Sequence, residues 1–326
     1  MKPLVAGTAL TLLTAAWSPA MAQSADDPLV QARRAARDHS FTGQVEVLWR
    51  DAAGDHVATV DVRSANGSLV VSGTNTVMDA RDRARFLRRR EGGWDLLWSA
   101  TSSSAANPPS SSKYRTVETG AATVAARPAR VLEVREGTVL RQRLALDTLT
   151  NLVLRREHLG ARGEVQRVVS FTALKIPDEP SVPAPPTASE DRAGRAITAV
   201  APPFSAPPTL REGYERVGLY EEGGIVQALY NDGLYDLSVF QQRGRLNRGD
   251  VPASGQPVSL GGRRAWAYNW PGGHVLLWHA AGTVYAMVSD APMEHLLLAA
   301  DSLPAAGRSL SLGERLRRIC RSLVTL

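Results

Sequence analysis

The sequence predicts an α+β fold, mainly antiparallel β, in two domains. Three observations predict it. Apolar residues recur at every second position through most of the chain, the period of half-buried strands. Turn residues separate these runs at short intervals and leave no room for the helical crossovers of a parallel sheet. Nine of the twenty prolines fall between Pro177 and Pro208 and cut the chain in two. A length of 326 residues fits two domains at roughly 100–200 residues each. With 44% hydrophobic and 21% charged residues, both halves can hold a packed core.

The chain opens with Lys2, an apolar stretch from Pro3 to Trp17 and an A-x-A site at Ala20-Met21-Ala22. This pattern predicts a secretory signal peptide over 1–22 and an extracytoplasmic protein (periplasm or outer side of the cytoplasmic membrane). The apolar stretch is short against the roughly 20 residues of a spanning helix. The first domain, 23–176, begins with a helix capped by Asp26 or Asp27 before Pro28, with Leu29, Ala32 and Ala36 on its narrow apolar face. The period then changes to two. Val45, Val47 and Trp49 share one strand face, as do Ala58, Val60 and Val62, and then Trp94, Leu96 and Trp98. Further strands follow at 138–146, 152–159 and 164–174, while 99–112 has no period and predicts a loop.

The proline-rich stretch 177–208 predicts an extended linker, since proline lacks the N–H of a helix or central strand. The second domain, 209–304, carries a hairpin around Asn231-Asp232-Gly233, with strands at 225–230 and 234–241, and three more strands at 264–270, 274–280 and 283–289. Met293, Leu296, Leu297 and Ala300 then lie at i, i+3, i+4 and i+7, one helical stripe that Pro304 stops. A small antiparallel sheet with one helix results. The tail 305–326 opens on a capping box, Ser311 to Glu314, and sets Arg315, Arg317, Arg318 and Arg321 around an apolar stripe.

Chemistry is hard to find. A single cysteine, Cys320, excludes a disulfide scaffold and any cysteine-rich metal site. His274 and His279 sit five apart in one strand and face opposite sides, so they cannot share a metal. No nucleophile elbow and no glycine-rich phosphate loop occurs. The reading is a protein with no catalytic residues, no metal and no cofactor. The formal charge of +6 comes from 38 bases against 32 acids. Its arginines are scattered and interleaved with acids, so no nucleic-acid partner is read from it. The aromatic residues say more. Trp266, Tyr268 and Trp270 alternate along one strand face, either as core under the helix or as a platform for a partner. Trp49, Trp94 and Trp98 line faces of the first sheet, where helix is too scarce to cover the strands, and an apolar ligand cavity is the functional alternative.

At this point the sequence resembles the MucB/RseB family of extracytoplasmic sigma-factor regulators. Ala35-Ala36-Arg37 through Phe41-Thr42-Gly43-Gln44-Val45 resembles the family's opening helix and aromatic-x-Gly strand. Leu144-Ala145-Leu146-Asp147, Leu152-Val153-Leu154 and Phe171-Thr172-Ala173-Leu174 resemble later strands. The strongest match is Tyr230-Asn231-Asp232-Gly233-Leu234 with Leu237-Ser238-Val239-Phe240, against a family pattern Y-S-D-G-L-x-x-x-S-V-F. The stretch from Met78 to Ser112 matches poorly.

The resemblance implies a large half-open barrel like the lipoprotein carriers LolA and LolB, followed by a small sheet-and-helix domain. It implies a negative regulator that binds the outer part of a membrane-spanning anti-sigma factor and protects it from regulated proteolysis, with a lipid or acylated ligand as the releasing signal and room for a homo-oligomer. Partner contact then falls on Tyr230, Asn231, Asp232, Gly233, Leu234, Ser238, Val239 and Phe240, with Trp266 and Trp270. Lipid contact falls on Trp49, Trp94 and Trp98. The alternative is a lipid or lipoprotein carrier or sensor of the envelope; a hydrolase is the third reading.

Overall fold

A computed structural model describes residues 27–51, 54–65, 68–73, 76–80, 113–177, 195–246, 255–270 and 272–303. The expected signal peptide, Trp94, Trp98, most of the linker and the tail with Cys320 lie outside the described residues. Among the described residues no helix is long and apolar enough to cross a membrane.

Helix α1 (Pro28–Asp38) starts where Asp27 Oδ1 accepts from the Leu29 N–H at 2.8 Å, and Pro28 occupies the first turn. That turn has no partner for a proline N–H in any case. Leu29, Ala32 and Ala35 are buried; the apolar face runs through Ala35, with Ala36 only partly covered. The chain then forms β1 (Phe41–Asp51), β2 (Gly54–Ala65), β3 (Ser68–Gly73) and β4 (Thr76–Ala80), and later β5 (Tyr114–Val124), β6 (Arg127–Glu136), β7 (Val139–Asp147), β8 (Val153–Leu159) and β9 (Val165–Lys175). All pair antiparallel in one nine-stranded sheet, ordered β4-β3-β2-β1-β9-β8-β7-β6-β5.

Two meanders are thus joined by β1 against β9, and the order runs from β4 at one edge to β5 at the other. The sheet is open and not closed into a barrel. Val45 and Val47 of β1 and Val60 and Val62 of β2 fill its buried face. The β1–β9 seam is tight. A Cβ at Gly43 would lie 2.5 Å from the Ala173 carbonyl oxygen, so only glycine fits there. Phe41 and Phe171 meet edge to face beside it, 5.8 Å apart.

The second unit holds more strands than the sequence reading gave it. Its eight-stranded antiparallel sheet is ordered β10-β11-β12-β13-β17-β16-β15-β14. These strands are β10 (Arg195–Ala196), β11 (Glu215–Glu222), β12 (Ile225–Asn231), β13 (Asp236–Arg243), β14 (Gln256–Leu260), β15 (Arg263–Trp270), β16 (Gly273–Ala280) and β17 (Thr283–Ser289). Helix α2 (Met293–Ser302) follows. Residues 195–208, read as linker, are tied to this sheet. Ala196 pairs with Tyr220, and the Ser205 main chain exchanges two hydrogen bonds with the Gln241 side chain, at 2.9 and 2.8 Å. Proline lacks a donor but keeps its carbonyl; Pro207 accepts from Tyr230 Oη at 3.1 Å and Pro202 from Arg243 at 3.0 Å.

Two apolar clusters hold the molecule together, and both cross from one sheet to the other. The larger joins Leu132, Val134, Leu144 and Leu146 of the first sheet to Tyr214, Leu234, Tyr235, Leu237 and the buried side of α2. The smaller joins Val45, Val47, Val169 and Phe171 to Phe240 and Val288. The helix stripe is rotated from the expected one. His295 and Ala299 are buried with Leu296 and Ala300, while Met293 and Leu297 are partly exposed. His295 is drawn inward because Glu136 and Arg141 of the first sheet meet it there.

Candidate partner interface and the domain joint

The hairpin between β12 and β13 is built by its own side chains. Asn231 Oδ1 accepts from the Gly233 N–H at 2.7 Å. Asp232 Oδ1 accepts from the N–H groups of Leu234 and Tyr235, at 3.0 and 2.8 Å. Gly233 takes a φ of +97°, which explains the Asn-Asp-Gly signature. Asp232 Oδ2 faces the other way. It accepts from Tyr114 Oη at 2.5 Å and lies 3.4 Å from Lys113 Nζ, both in the first domain. Arg33 of α1 donates to the Gly233 carbonyl oxygen.

The tip is therefore a plug between domains, at the residues the family resemblance assigned to partner contact. Tyr230, Asn231, Asp232, Tyr235, Leu237 and Val239 are at most 1% exposed, and Gly233, Leu234, Ser238 and Phe240 are also buried. A partner cannot touch these side chains while the domains are docked. The residues sit here because the tip's apolar rings fill the larger cluster while its carboxylate finds donors across the joint.

Around the plug lies an ion-pair network drawn from both domains. Lys113 Nζ is 2.9 Å from Glu136 and 3.6 Å from Glu212. Arg141 is 2.7 Å from Glu136 and 2.9 Å from Glu294. Burial pushes the Glu136 carboxyl up, but hydrogen bonds from His295, Lys113 and Arg141 outweigh it and hold the group well below the usual carboxylate range. Glu136, Glu212 and His295 place ligand-type atoms within 4.8 Å of one another. Lys113 and Arg141 already supply the positive charge a metal ion would bring, so this cluster is a set of answered charges.

The aromatic stripe of β15 looks away from α2. Ala265 and Ala267 form the core side, and Trp266 and Tyr268 are half-buried on the other. The ladder aligns Trp266 with Leu277, Leu277 with Ala286 and Ala286 with Phe240, so these four share one face. That face meets the first sheet at Phe240 and Ala286. Trp270 pairs with Gly273 at the end of the same strand. Trp49 stacks on its cross-strand neighbour His56, 5.1 Å between ring centres, at the rim of a cavity of about 290 Å³ between the domains. Arg167, His158, Asp290, His274 and Asn269 also line this cavity, a polar wall that does not suit an acyl chain.

The family model for the MucB/RseB N-terminal domain matches residues 74–192. The match runs through 78–112, a stretch whose residues resemble the family poorly. Among solved structures, MucB in complex with MucA(peri) is 21% identical, with 86% of this chain and 99% of that one covered at a TM-score of 0.47. The Pseudomonas aeruginosa MucA/MucB complex is 19% identical, with 86% and 98% covered at 0.45. A LolA-superfamily protein from Nitrosomonas europaea is 11% identical, with 82% and 92% covered at 0.21. A search of curated proteins finds no match.

Several residues that organise the joint escaped the sequence reading: Lys113, Tyr114, Glu136, Arg141, Arg156 and Arg167. The available signal was rarity. Lys113 is one of only three lysines, and it lies beside the first residue of a strand.

Proposed function

We propose that the protein is an extracytoplasmic negative regulator of an envelope-stress sigma factor. It binds the outer part of a membrane-spanning anti-sigma factor, protects it from regulated proteolysis and lets go when a lipid-like ligand binds. The observation that carries this reading is the MucB/RseB N-terminal domain over 74–192. The Y-N-D-G-L hairpin agrees with it, now as the element that fixes the second domain against the first. The partner-contact residue we assign within reach is Trp266, half-buried on the side of β15 away from Ala265 and Ala267; the side chain of Trp270 lies outside the described residues. Trp and Tyr dominate interface hot spots because a large ring buries much area at little entropy cost.

Calorimetric titration with the extracytoplasmic segment of a membrane-spanning anti-sigma factor from the same organism tests the reading. A useful regulator reaches a micromolar Kd or better, about −8 kcal/mol. Failure to bind at concentrations a hundred times higher refutes it. Protection is tested in the same mixture by adding the protease that cleaves that segment, and release by adding solubilised envelope lipid.

A further inference from the structure

The domain joint has a polar end, at the cavity rimmed by Trp49. Asp290, just before α2, is buried there, and neither of its carboxylate oxygens accepts a hydrogen bond from a described residue. Arg156 of β8 and Arg167 of β9 lie 3.6 and 3.7 Å from it, at ion-pair range. Arg167 Nη2 is also 2.6 Å from His158 Nε2. A guanidinium only donates, so Nε2 accepts and the imidazole is neutral. The second domain contributes another imidazole, His274 of β16, whose Nδ1 lies 2.8 Å from Asn269 Oδ1.

We propose that this end of the joint is an acid-sensitive contact: protons taken up by His158 and His274 add positive charge beside Arg156 and Arg167 and loosen the docking of the two domains. A protonated His158 loses the lone pair that receives Arg167 and sets two cations at hydrogen-bond distance. The carboxylate facing them is Asp290, with Asp236 of β13 and Asp232 of the hairpin tip acting on it from behind. Tyr235 stands between and stays neutral, because burial raises its phenol. At the mouth Arg50 is paired with Asp55, and Glu164 lies beside Arg162.

The proton balance decides the sign. Burial, then Arg167 and Arg156, holds His158 well below the usual imidazole range. Burial and Arg167 push His274 down to about 4. Arg167 and Arg156 stay beside His158 on the first sheet when the joint opens, but burial, the larger cause, is lifted from both imidazoles. Both then rise toward roughly 6.5 and each takes up a proton, so acid favours opening as pH falls through roughly 6.5 to 4. Asp290 acts in reverse. Burial raises it to about 6 against the pull of Arg167 and Arg156. Opening returns it toward roughly 3.9 and releases a proton, which opposes opening in acid. Two taken up and one released leave a net uptake of about one, or roughly a tenfold rise in the opening equilibrium per pH unit near pH 5.5.

Hydrogen–deuterium exchange of the full mature chain, corrected for intrinsic exchange rates, reads this opening in peptides from β8, β9 and β16. We expect protection there to fall about tenfold from about pH 6 to about pH 5. His158→Gln keeps an acceptor for Arg167 but takes no proton, and His274→Asn keeps a polar group beside Asn269. In the double variant only Asp290 titrates, so the trend reverses and acid tightens the joint. If that variant does not fold, His274→Asn alone brings the slope close to zero. A wild-type protein whose joint peptides show no pH trend overturns the proposal, as does a variant that loosens in acid as steeply as the wild type.

Discussion

Replacing Asp232 by alanine removes the centre of the domain joint, and its cost follows from what the carboxylate touches. It accepts two main-chain N–H groups of its own tip, at 3.0 and 2.8 Å, and the Tyr114 hydroxyl at 2.5 Å, and it lies 3.4 Å from Lys113. The side chain has no accessible surface, so water does not replace these contacts. Hydrogen bonds to a charged group are each worth about 1.5–3 kcal/mol, but the four share one acceptor and do not add. Breaking a buried charged set typically costs about 3–5 kcal/mol. We expect that loss in urea unfolding followed by far-ultraviolet circular dichroism. Tyr114→Phe alone should cost about 1–2 kcal/mol. In a double-mutant cycle the two should couple by about 1 kcal/mol or more, because they remove opposite ends of one bond. If Asp232→Ala costs under about 1 kcal/mol, or the cycle shows no coupling, the hairpin tip does not plug the joint.

Other positions give sharper local tests. Gly43→Ala drives a methyl group to 2.5 Å from the Ala173 carbonyl and should cost about 1–3 kcal/mol in thermal unfolding, through separation of β1 from β9. Asp147 is buried and held by Arg127 through two bonds at 2.9 Å and by Thr150 at 3.0 and 2.7 Å, so Asp147→Ala should cost about 3 kcal/mol or more in urea unfolding. Glu136 is held below its ordinary range, so the stability it contributes is present at neutral pH and is lost as pH falls below roughly 4.5; Glu136→Gln should flatten the acid limb of a stability-against-pH curve. Trp266→Ala should raise the Kd for the anti-sigma segment at least about tenfold with little change in Tm, which calorimetry and a melting curve together decide.

What the sequence by itself determined is local. Alternation set the strands, Asn231-Asp232-Gly233 set a turn, and Asp27-Pro28 set a helix start, because each depends on neighbours a few residues away. β5 and β6 were harder to see, since seven residues of β5, from Val117 to Thr123, are exposed and leave no apolar stripe to count. The resemblance to a family was legible for the same reason, since it rests on short runs that keep their spacing. Which face of a strand is buried was not. Trp266 reads as core by size, yet Ala265 and Ala267 take the core side of β15, because the larger rings of Trp278 and Tyr285 fill the space beside them. The role of the hairpin was decided only by tertiary structure. Its apolar and acidic residues look alike whether they await a partner or plug a joint. The answer came from Lys113 and Tyr114, more than a hundred residues away, whose charge and hydroxyl arrive only when two sheets dock.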